Sequence, residues 1–255
     1  MTAPRFQDGA AVASIRIELI DPDAMKLWRT VAKVATAFGE DRRWCLVGGL
    51  MVALFAIEAQ QTQRATTDID VLADARARPS GTVWAAERLK ALGATTVREF
   101  HRSELERGFR FDFDGQVVDV LAPDGLSPSG ATTTGRLQTI QIPGGTQALN
   151  RTEMVEMVID DRAVALRRPK LIAAILLKAR ALRVHTQPQA QRHDLVALLS
   201  LLDDPRTALT ELTGKEIGWI RSISDLLSID DPSLGESFKA AQLRAARAAY
   251  RVLTD

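Results

Sequence analysis

Cysteine and histidine are scarce in this chain of 255 residues, which limits the metal and redox chemistry it can carry. Cys45 is the one cysteine, so an internal disulfide is excluded, and its apolar surroundings predict a small buried hydrophobe. The three histidines, His101, His185 and His193, show no zinc-ligand spacing with that cysteine. We therefore expect neither a disulfide scaffold nor a structural zinc site.

Long apolar runs are also missing. The longest one, Leu46 to Ile57, is too short to span a bilayer and contains two glycines. Near the amino terminus, Arg16 and Glu18 interrupt the only stretch that resembles the core of a signal peptide. These features predict a protein that does not enter a membrane and that acts in the cytoplasm.

The chain has almost no net charge, because 33 Lys and Arg residues offset 32 Asp and Glu residues and leave a formal charge of +1. Such a balance gives no general attraction to nucleic acid, so any RNA binding needs a local patch. Basic residues are concentrated in two segments: Arg162, Arg167, Arg168, Lys170, Lys178, Arg180, Arg183 and Arg192, then Lys239, Arg244, Arg247 and Arg251. They form either a surface for RNA or the solvated faces of helices.

Two adjacent glycines, Gly48 and Gly49, separate an apolar run from Trp44 to Val47 and a second one from Leu50 to Ile57. This order predicts a strand, a tight turn and a buried helix. Glycine lets the backbone approach a ligand closely, and the free amides at the start of the helix favour a phosphate group. The alternative is a glycine pair that serves close packing alone.

Asp68 and Asp70 lie at the start of the next predicted strand. Because side chains alternate along a strand, both carboxylates point to one face while Ile69 points to the other. Two carboxylates held this close repel each other unless a cation or a shared proton lies between them, and Mg²⁺ prefers oxygen ligands. The alternative is a strand end that carries aspartates for solvation or a turn.

Asp119 interrupts an otherwise apolar predicted strand, Gln116 to Leu121, which follows another predicted strand at Phe109 to Phe113. A carboxylate there costs stability unless it is paired, ligated or capped by backbone amides. With Asp68 and Asp70 it makes three carboxylates on adjacent strands. Such a set can hold two cations, which would activate an attacking hydroxyl and stabilise a departing pyrophosphate.

Two charged residues fall on the inner faces of the helices predicted in the second half of the chain. Pro169 suits the start of the first helix, in which Lys178 interrupts an apolar stripe. Asp194 takes the corresponding inward place on the next helix. Lys178 either extends past the edge of the core or reaches a phosphate in a cleft, and a buried ion pair with Asp194 is the further alternative.

Together these motifs resemble those of the nucleotidyltransferase (polymerase-beta-like) superfamily, and within it the AbiEii-like toxins that include the MenT-like enzymes. The resemblance covers Leu46 to about Leu202 and rests on Leu46-Val47-Gly48-Gly49, Arg64 to Asp70, Val118 to Leu121, Lys178 and Arg192-His193-Asp194. One departure is Leu50, since the family usually has Ser or Thr at or after the second glycine. Backbone amides, Thr66 or Thr67 would have to contact phosphate instead.

The resemblance implies transfer of a nucleotide from a nucleoside triphosphate to a hydroxyl, with Mg²⁺ in a two-metal site. It implies catalytic roles for Asp68, Asp70, Asp119 and Lys178, of which the three aspartates would bind metal. The nucleotide-binding residues would be Gly48, Gly49, Arg64, Thr66, Thr67, Lys178 and Asp194. It further implies a transfer RNA acceptor and a cognate antitoxin, whereas a small-molecule acceptor and a non-catalytic nucleotide-binding partner of a toxin–antitoxin pair stay as alternatives.

The expected architecture is mixed α/β (α+β), with a nucleotidyltransferase core over residues 1–166, a helical domain over residues 167–255 and the active site between them. Strands near Leu137 to Ile142 and Met154 to Ile159 are expected to close the sheet. Ser233 and Glu236 have the spacing of a capping box, which predicts that the last helix starts there and runs to Val252.

Overall fold

A computed structural model describes residues 14–62, 64–100, 106–127, 130–133, 137–184, 188–229 and 231–255, with the backbone alone at 98–100 and 106. The strands are β1 (Ser14–Arg16), β2 (Trp44–Val47), β3 (Asp68–Ala73), β4 (Thr95–Phe100), β5 (Glu106–Phe113), β6 (Gln116–Pro123), β7 (Gln141–Ile142), β8 (Thr152–Ile159) and β9 (Arg162–Pro169). The helices are α1 (Pro22–Phe38), α2 (Gly48–Glu58), α3 (Gly81–Ala91), α4 (Gly145–Asn150), α5 (Leu171–Val184), α6 (Pro188–Ser200), α7 (Pro205–Thr210), α8 (Gly214–Arg221), α9 (Ser224–Leu227) and α10 (Ala240–Thr254).

Two sheets organise the first two thirds of the chain. The larger has the order β2-β3-β6-β5-β4, with β7 paired to β6, and the smaller has the order β1-β8-β9. In the larger sheet β3 and β6 are parallel, whereas β2 runs antiparallel to β3 and β5 antiparallel to β6. The parallel pair at the centre is the arrangement that brings the starts of β3 and β6 to the same edge.

The segment from Met154 to Ile159 is a strand, as predicted, but it does not close the larger sheet. It belongs to β8, which pairs with β9 in full register from Thr152 opposite Pro169 to Ile159 opposite Arg162. The sequence analysis missed β9 because its arginines break the apolar pattern. Of the strand predicted near residues 137–142, the structure has the two residues of β7.

The glycine pair marks a strand-to-helix junction, as the sequence predicts. All four residues of β2 are buried, and α2 begins directly at Gly48. Seven consecutive residues of α2, from Leu50 to Ala56, are buried, so this helix lies inside the molecule between the larger sheet and the helices that follow. Gly48 and Gly49 at its amino end are only partly buried.

Helices alone follow β9 in the described chain, and the expected mixed α/β architecture with a helical carboxyl-terminal part is confirmed. Helix α6 packs against α5, α10 and α2, which connects this part to the glycine turn. β9 continues to Pro169, so the change to helices falls shortly after the predicted limit at residue 166. The division into two domains stays a prediction. None of the helices that the structure describes is long and apolar enough to cross a membrane.

The predicted start of the last helix is wrong. Pro232–Glu236 forms a short 3-10 helix, and its cap is the Asp231 carboxylate, which accepts a hydrogen bond of 2.9 Å from the Ser233 amide. The last helix begins at Ala240 instead. Asp231 caps the short helix and the proline occupies its first turn, so the capping residues belong to this short helix and not to the long one that follows.

Candidate active site

The register of the larger sheet aligns a row of charged side chains across its centre. Asp70 of β3 lies beside Asp119 of β6, and Asp119 lies beside Arg110 of β5. On the other side of Asp70, its register partner is Val47, the last residue before the glycine turn. Asp68 is two residues earlier on the same face of β3. The sheet thus brings the three predicted carboxylates to one place.

Both glycines of the turn are required by their neighbours. Gly48 has a φ of +68°, and a Cβ there would overlap the Asp70 carboxylate. A Cβ on Gly49 would lie 2.6 Å from the Thr66 Oγ1 and 3.2 Å from a terminal nitrogen of Arg64. The amino end of α2 therefore touches Asp70, Thr66 and Arg64 directly, which places four of the predicted nucleotide-binding residues together.

Leu50, the departure from the family pattern, is buried in the core. Its position is thus used for packing, and a hydroxyl there would replace an apolar contact. The side chains near the turn that can contact phosphate are those of Thr66 and Arg64, while Thr67 is exposed and donates a hydrogen bond of 2.9 Å to Asp68.

Asp70 is the carboxylate of the row whose charged form is least favoured. No described residue donates a hydrogen bond to its carboxylate, although it is largely shielded from solvent. Burial, and then the charge of Asp119, raise its pKa to about 6; Asp68 adds to this effect, and Lys178 and Arg110 oppose it. A carboxylate in this position is stabilised by any cation that approaches it.

Asp119 is held by an arginine that the sequence analysis did not single out. The Arg110 guanidinium donates two hydrogen bonds to it, from Nε to Oδ1 at 2.9 Å and from a terminal nitrogen to Oδ2 at 2.8 Å. The Asp119 side chain is buried, and the Arg110 side chain is 33% exposed. The available signal was a charged residue between two aromatic ones, Phe109 and Phe111, in a predicted strand, but its partner follows only from the register of β5 and β6.

Asp194 binds two cations at once. Arg64 donates to both of its oxygens, at 2.7 and 3.0 Å, and the Lys178 Nζ lies 2.8 Å from Oδ2. Lys178 and Asp194 are both buried, so the ion pair that the sequence analysis left open is formed. Burial raises the pKa of Asp194, but Lys178 and Arg64 outweigh it and hold the pKa below its ordinary value. Because two cations share one carboxylate, one positive charge remains in excess beside the glycine turn.

The basic residues between 162 and 192 do not form one continuous surface. Arg167 and Arg168 are buried in β9, and Arg168 pairs with Glu58 at 2.6 Å and Glu153 at 2.8 Å. Arg192 pairs with Asp231 at 2.7 Å. The interpretation as helix faces was wrong for Arg162, Arg167 and Arg168, which lie on β9, whereas the basic residues from Lys178 onward do lie on α5 and α6.

A cleft of about 820 Å³ opens beside Asp68. Its walls are the segment from Glu18 to Ala24, which leads into α1, the segment from Arg64 to Asp68, and Gly115 with the start of β6; Leu50 also lines it. The exposed rim includes the carboxylates Glu18, Asp21 and Asp23. The cleft is large enough for a nucleoside or a small acceptor beside the carboxylate row.

The side chains of the site suit a magnesium ion that is held partly by the substrate, rather than one enclosed by protein ligands alone. In the described part of the chain, no group of three or more His, Cys, Asp or Glu side chains is arranged to hold a metal. Mg²⁺ is commonly bound by one or two carboxylates together with substrate phosphates and water. Asp68 and the unsatisfied Asp70, beside the amino end of α2, match that chemistry.

No protein-family model and no curated protein matches the sequence. Several solved structures resemble the fold, among them the following two. One is an antigenic nucleotidyltransferase-like protein from Paracoccidioides brasiliensis, with a TM-score of 0.45 and 12% identity over 86% of this chain and 93% of that chain. The other is the antibiotic-resistance factor ANT(2'')-Ia, with a TM-score of 0.38 and 17% identity over 84% of this chain and 95% of that chain. At these TM-scores neither likeness carries an argument about function, which must come from the site itself.

Proposed function

We propose that the protein is a nucleotidyltransferase, which moves a nucleoside monophosphate from a nucleoside triphosphate to an acceptor hydroxyl. The observation that carries the proposal is the contact between the glycine turn and Asp70. It joins a helix amino end suited to phosphate with an unsatisfied carboxylate that lies between Asp68 and Asp119. Metal-assisted phosphoryl transfer requires the metal ligands to lie close to the site that holds the phosphates.

The triphosphate would lie at the amino end of α2. Free amides of the first helical turn and the helix dipole favour negative charge there, and Gly48 and Gly49 leave the backbone accessible. Arg64 contributes its guanidinium next to Gly49, and Lys178 its ammonium from α5. The positive charge left in excess at Asp194 then meets the phosphates.

Asp68 and Asp70 would hold magnesium, which when bound neutralises charge that develops on the phosphates. Asp119, fixed by Arg110, is assigned to the acceptor side of the row. There it would take the proton of the attacking hydroxyl as the new oxygen–phosphorus bond forms. The bond between the α-phosphorus and the bridging oxygen breaks, and pyrophosphate leaves toward Arg64 and Lys178.

The acceptor is the finer part of the proposal. The resemblance to the AbiEii-like and MenT-like toxins favours transfer RNA, with an antitoxin as partner. A small-molecule acceptor is the second candidate, and one observation favours it. The cleft beside Asp68 carries acidic residues on its rim, while Arg167 and Arg168, expected to contact RNA, are buried. A polyanion would meet repulsion at that rim.

The test is an incubation of the purified protein with Mg²⁺ and each α-labelled nucleoside triphosphate in turn. One set of reactions receives total transfer RNA and a parallel set receives small hydroxyl-bearing metabolites. Covalent label on an acceptor, with one pyrophosphate released for each label, supports nucleotidyl transfer. Release of free monophosphate without any labelled acceptor would identify a hydrolase instead.

A further inference from the structure

The Arg110–Asp119 pair uses the carboxylate to which a second metal ion would bind. Asp70 and Asp119 are register partners on adjacent strands, so a cation that bridged them would use the oxygens of both. Both Asp119 oxygens, however, accept hydrogen bonds from Arg110 at 2.8 and 2.9 Å. A bidentate guanidinium of this kind is planar, permanently charged and geometrically matched to the carboxylate.

Arg110 is held in this place by the sheet. Its strand, β5, lies between β4 and β6, so the backbone on both sides is fixed by strand pairing. The guanidinium carbon is 5.6 Å from the centre of the Phe109 ring, and Phe111 on the opposite face is fully buried. A divalent cation at Asp119 would have to displace this guanidinium or remain beside it as a like charge.

The charge balance points the same way. Asp68, Asp70 and Asp119 carry three negative charges, and Arg110 already neutralises one of them. Arg64 and Lys178, which share Asp194, add one positive charge that also acts on Asp70. One divalent ion on Asp68 and Asp70 therefore more than neutralises the remaining negative charge. A second ion would leave an excess of three positive charges before the triphosphate binds, in a partly buried site where like charges interact strongly.

We infer that Arg110 serves as the built-in replacement for a second divalent cation, so that this site works with one metal ion. Arg110 acts as a positioning residue: it fixes Asp119 and supplies the positive charge that the acceptor side of the row needs. The inference rests on the proposed function. It departs from the two-metal expectation that the family resemblance implies.

The test counts bound metal. Mn²⁺ is titrated into the protein with a saturating non-hydrolysable nucleoside triphosphate analogue, and free Mn²⁺ is measured by electron paramagnetic resonance. Wild type is expected to hold one tight Mn²⁺ per complex. Arg110→Gln, which frees Asp119, is expected to hold two. The matched control is Arg29→Gln, which breaks a bidentate pair with Asp160 at 2.7 and 2.9 Å outside the row and should leave the count at one.

Asp119→Asn gives an independent measurement if Arg110→Gln folds poorly. Because Asp119 binds no metal in this account, that variant should keep one tight Mn²⁺ with an affinity within about threefold of wild type. Two tight ions in wild type, or loss of an ion in Asp119→Asn, would overturn the inference while leaving nucleotidyl transfer intact. No tight Mn²⁺ in the wild-type complex would overturn both the inference and the proposed function.

Discussion

Replacing Asp70 by asparagine should stabilise the metal-free protein at neutral pH and leave its stability unchanged in acid. Burial and the neighbouring Asp119 raise the pKa of Asp70 from 3.8 to about 6. The charged form is therefore disfavoured in the folded state. This penalty is absent below pH 4, grows between pH 4 and 6 and is fully present above pH 6.

The magnitude follows from the same difference. Each unit of pKa shift corresponds to about 1.4 kcal/mol, so the penalty for the charged form of Asp70 is roughly 3 kcal/mol. Partial solvent access reduces this penalty to about 2 kcal/mol. Asp70→Asn should thus raise the free energy of unfolding by about 2 kcal/mol at pH 7.5, or several degrees in melting temperature for a chain of this size.

The assay is urea unfolding in EDTA at half-unit steps from pH 4 to pH 8. Asp203→Asn is the control, since Asp203 is an exposed aspartate outside the site, and its curve should run parallel to wild type. Saturating Mg²⁺ should stabilise wild type above pH 6 and should affect Asp70→Asn much less. A difference between Asp70→Asn and wild type that does not change with pH would refute the reasoning.

Three further predictions concern the surroundings of the row. Gly48→Ala should lower the free energy of unfolding by about 2 kcal/mol or more and abolish nucleotide binding, because the added Cβ meets Asp70 and the φ of +68° is unfavourable for alanine. Melting curves and nucleotide titration measure the two effects. A variant with wild-type nucleotide affinity would contradict the close approach of Gly48 to Asp70. Lys178→Met should lower the free energy of unfolding by about 2 kcal/mol, because Asp194 keeps Arg64 but loses one of its two cations. The same variant should bind triphosphate more weakly. A loss of stability with unchanged nucleotide affinity would give Lys178 a purely structural role. Arg168→Met should destabilise the fold by roughly 1 to 3 kcal/mol, because Arg168 is buried between Glu58 and Glu153. It should leave the salt dependence of transfer RNA binding unchanged. If the logarithmic plot of affinity against salt became less steep by roughly 0.7 to 0.9, this arginine would instead contact a phosphate.

The parts of the site that depend on neighbours in sequence could be predicted. Alternation along one strand was enough to put Asp68 and Asp70 on the same face, and an apolar run ended by two glycines was enough for the junction of β2 and α2. Asp119 in an apolar strand indicated a carboxylate in need of a partner. In each case the physical constraint acts within a few residues.

The parts that depend on register or on distant partners were missed. Arg110 finds Asp119 because β5 and β6 pair in one register, which no local pattern specifies. β9 was overlooked because Arg167 and Arg168 suggested solvent exposure. Arg168 is compensated by side chains remote in sequence, Glu58 on α2 and Glu153 on β8, and Arg167 donates hydrogen bonds to the Thr152 hydroxyl and the Glu40 carbonyl. The false capping box has a local cause instead, because Asp231 and the following proline form a separate short turn.

Transfer of an α-labelled nucleotide by matched variants tests the central claim most directly. Wild type, Asp68→Asn, Asp70→Asn and Asp203→Asn are compared with Mg²⁺ and the acceptor that wild type labels best. The account predicts equal labelling and equal pyrophosphate release by wild type and Asp203→Asn, and a loss of at least about a hundredfold in Asp68→Asn and Asp70→Asn, because both carboxylates would hold the metal on the triphosphate. Labelling by Asp68→Asn or Asp70→Asn at the wild-type rate would contradict the claim that this carboxylate row carries out nucleotidyl transfer.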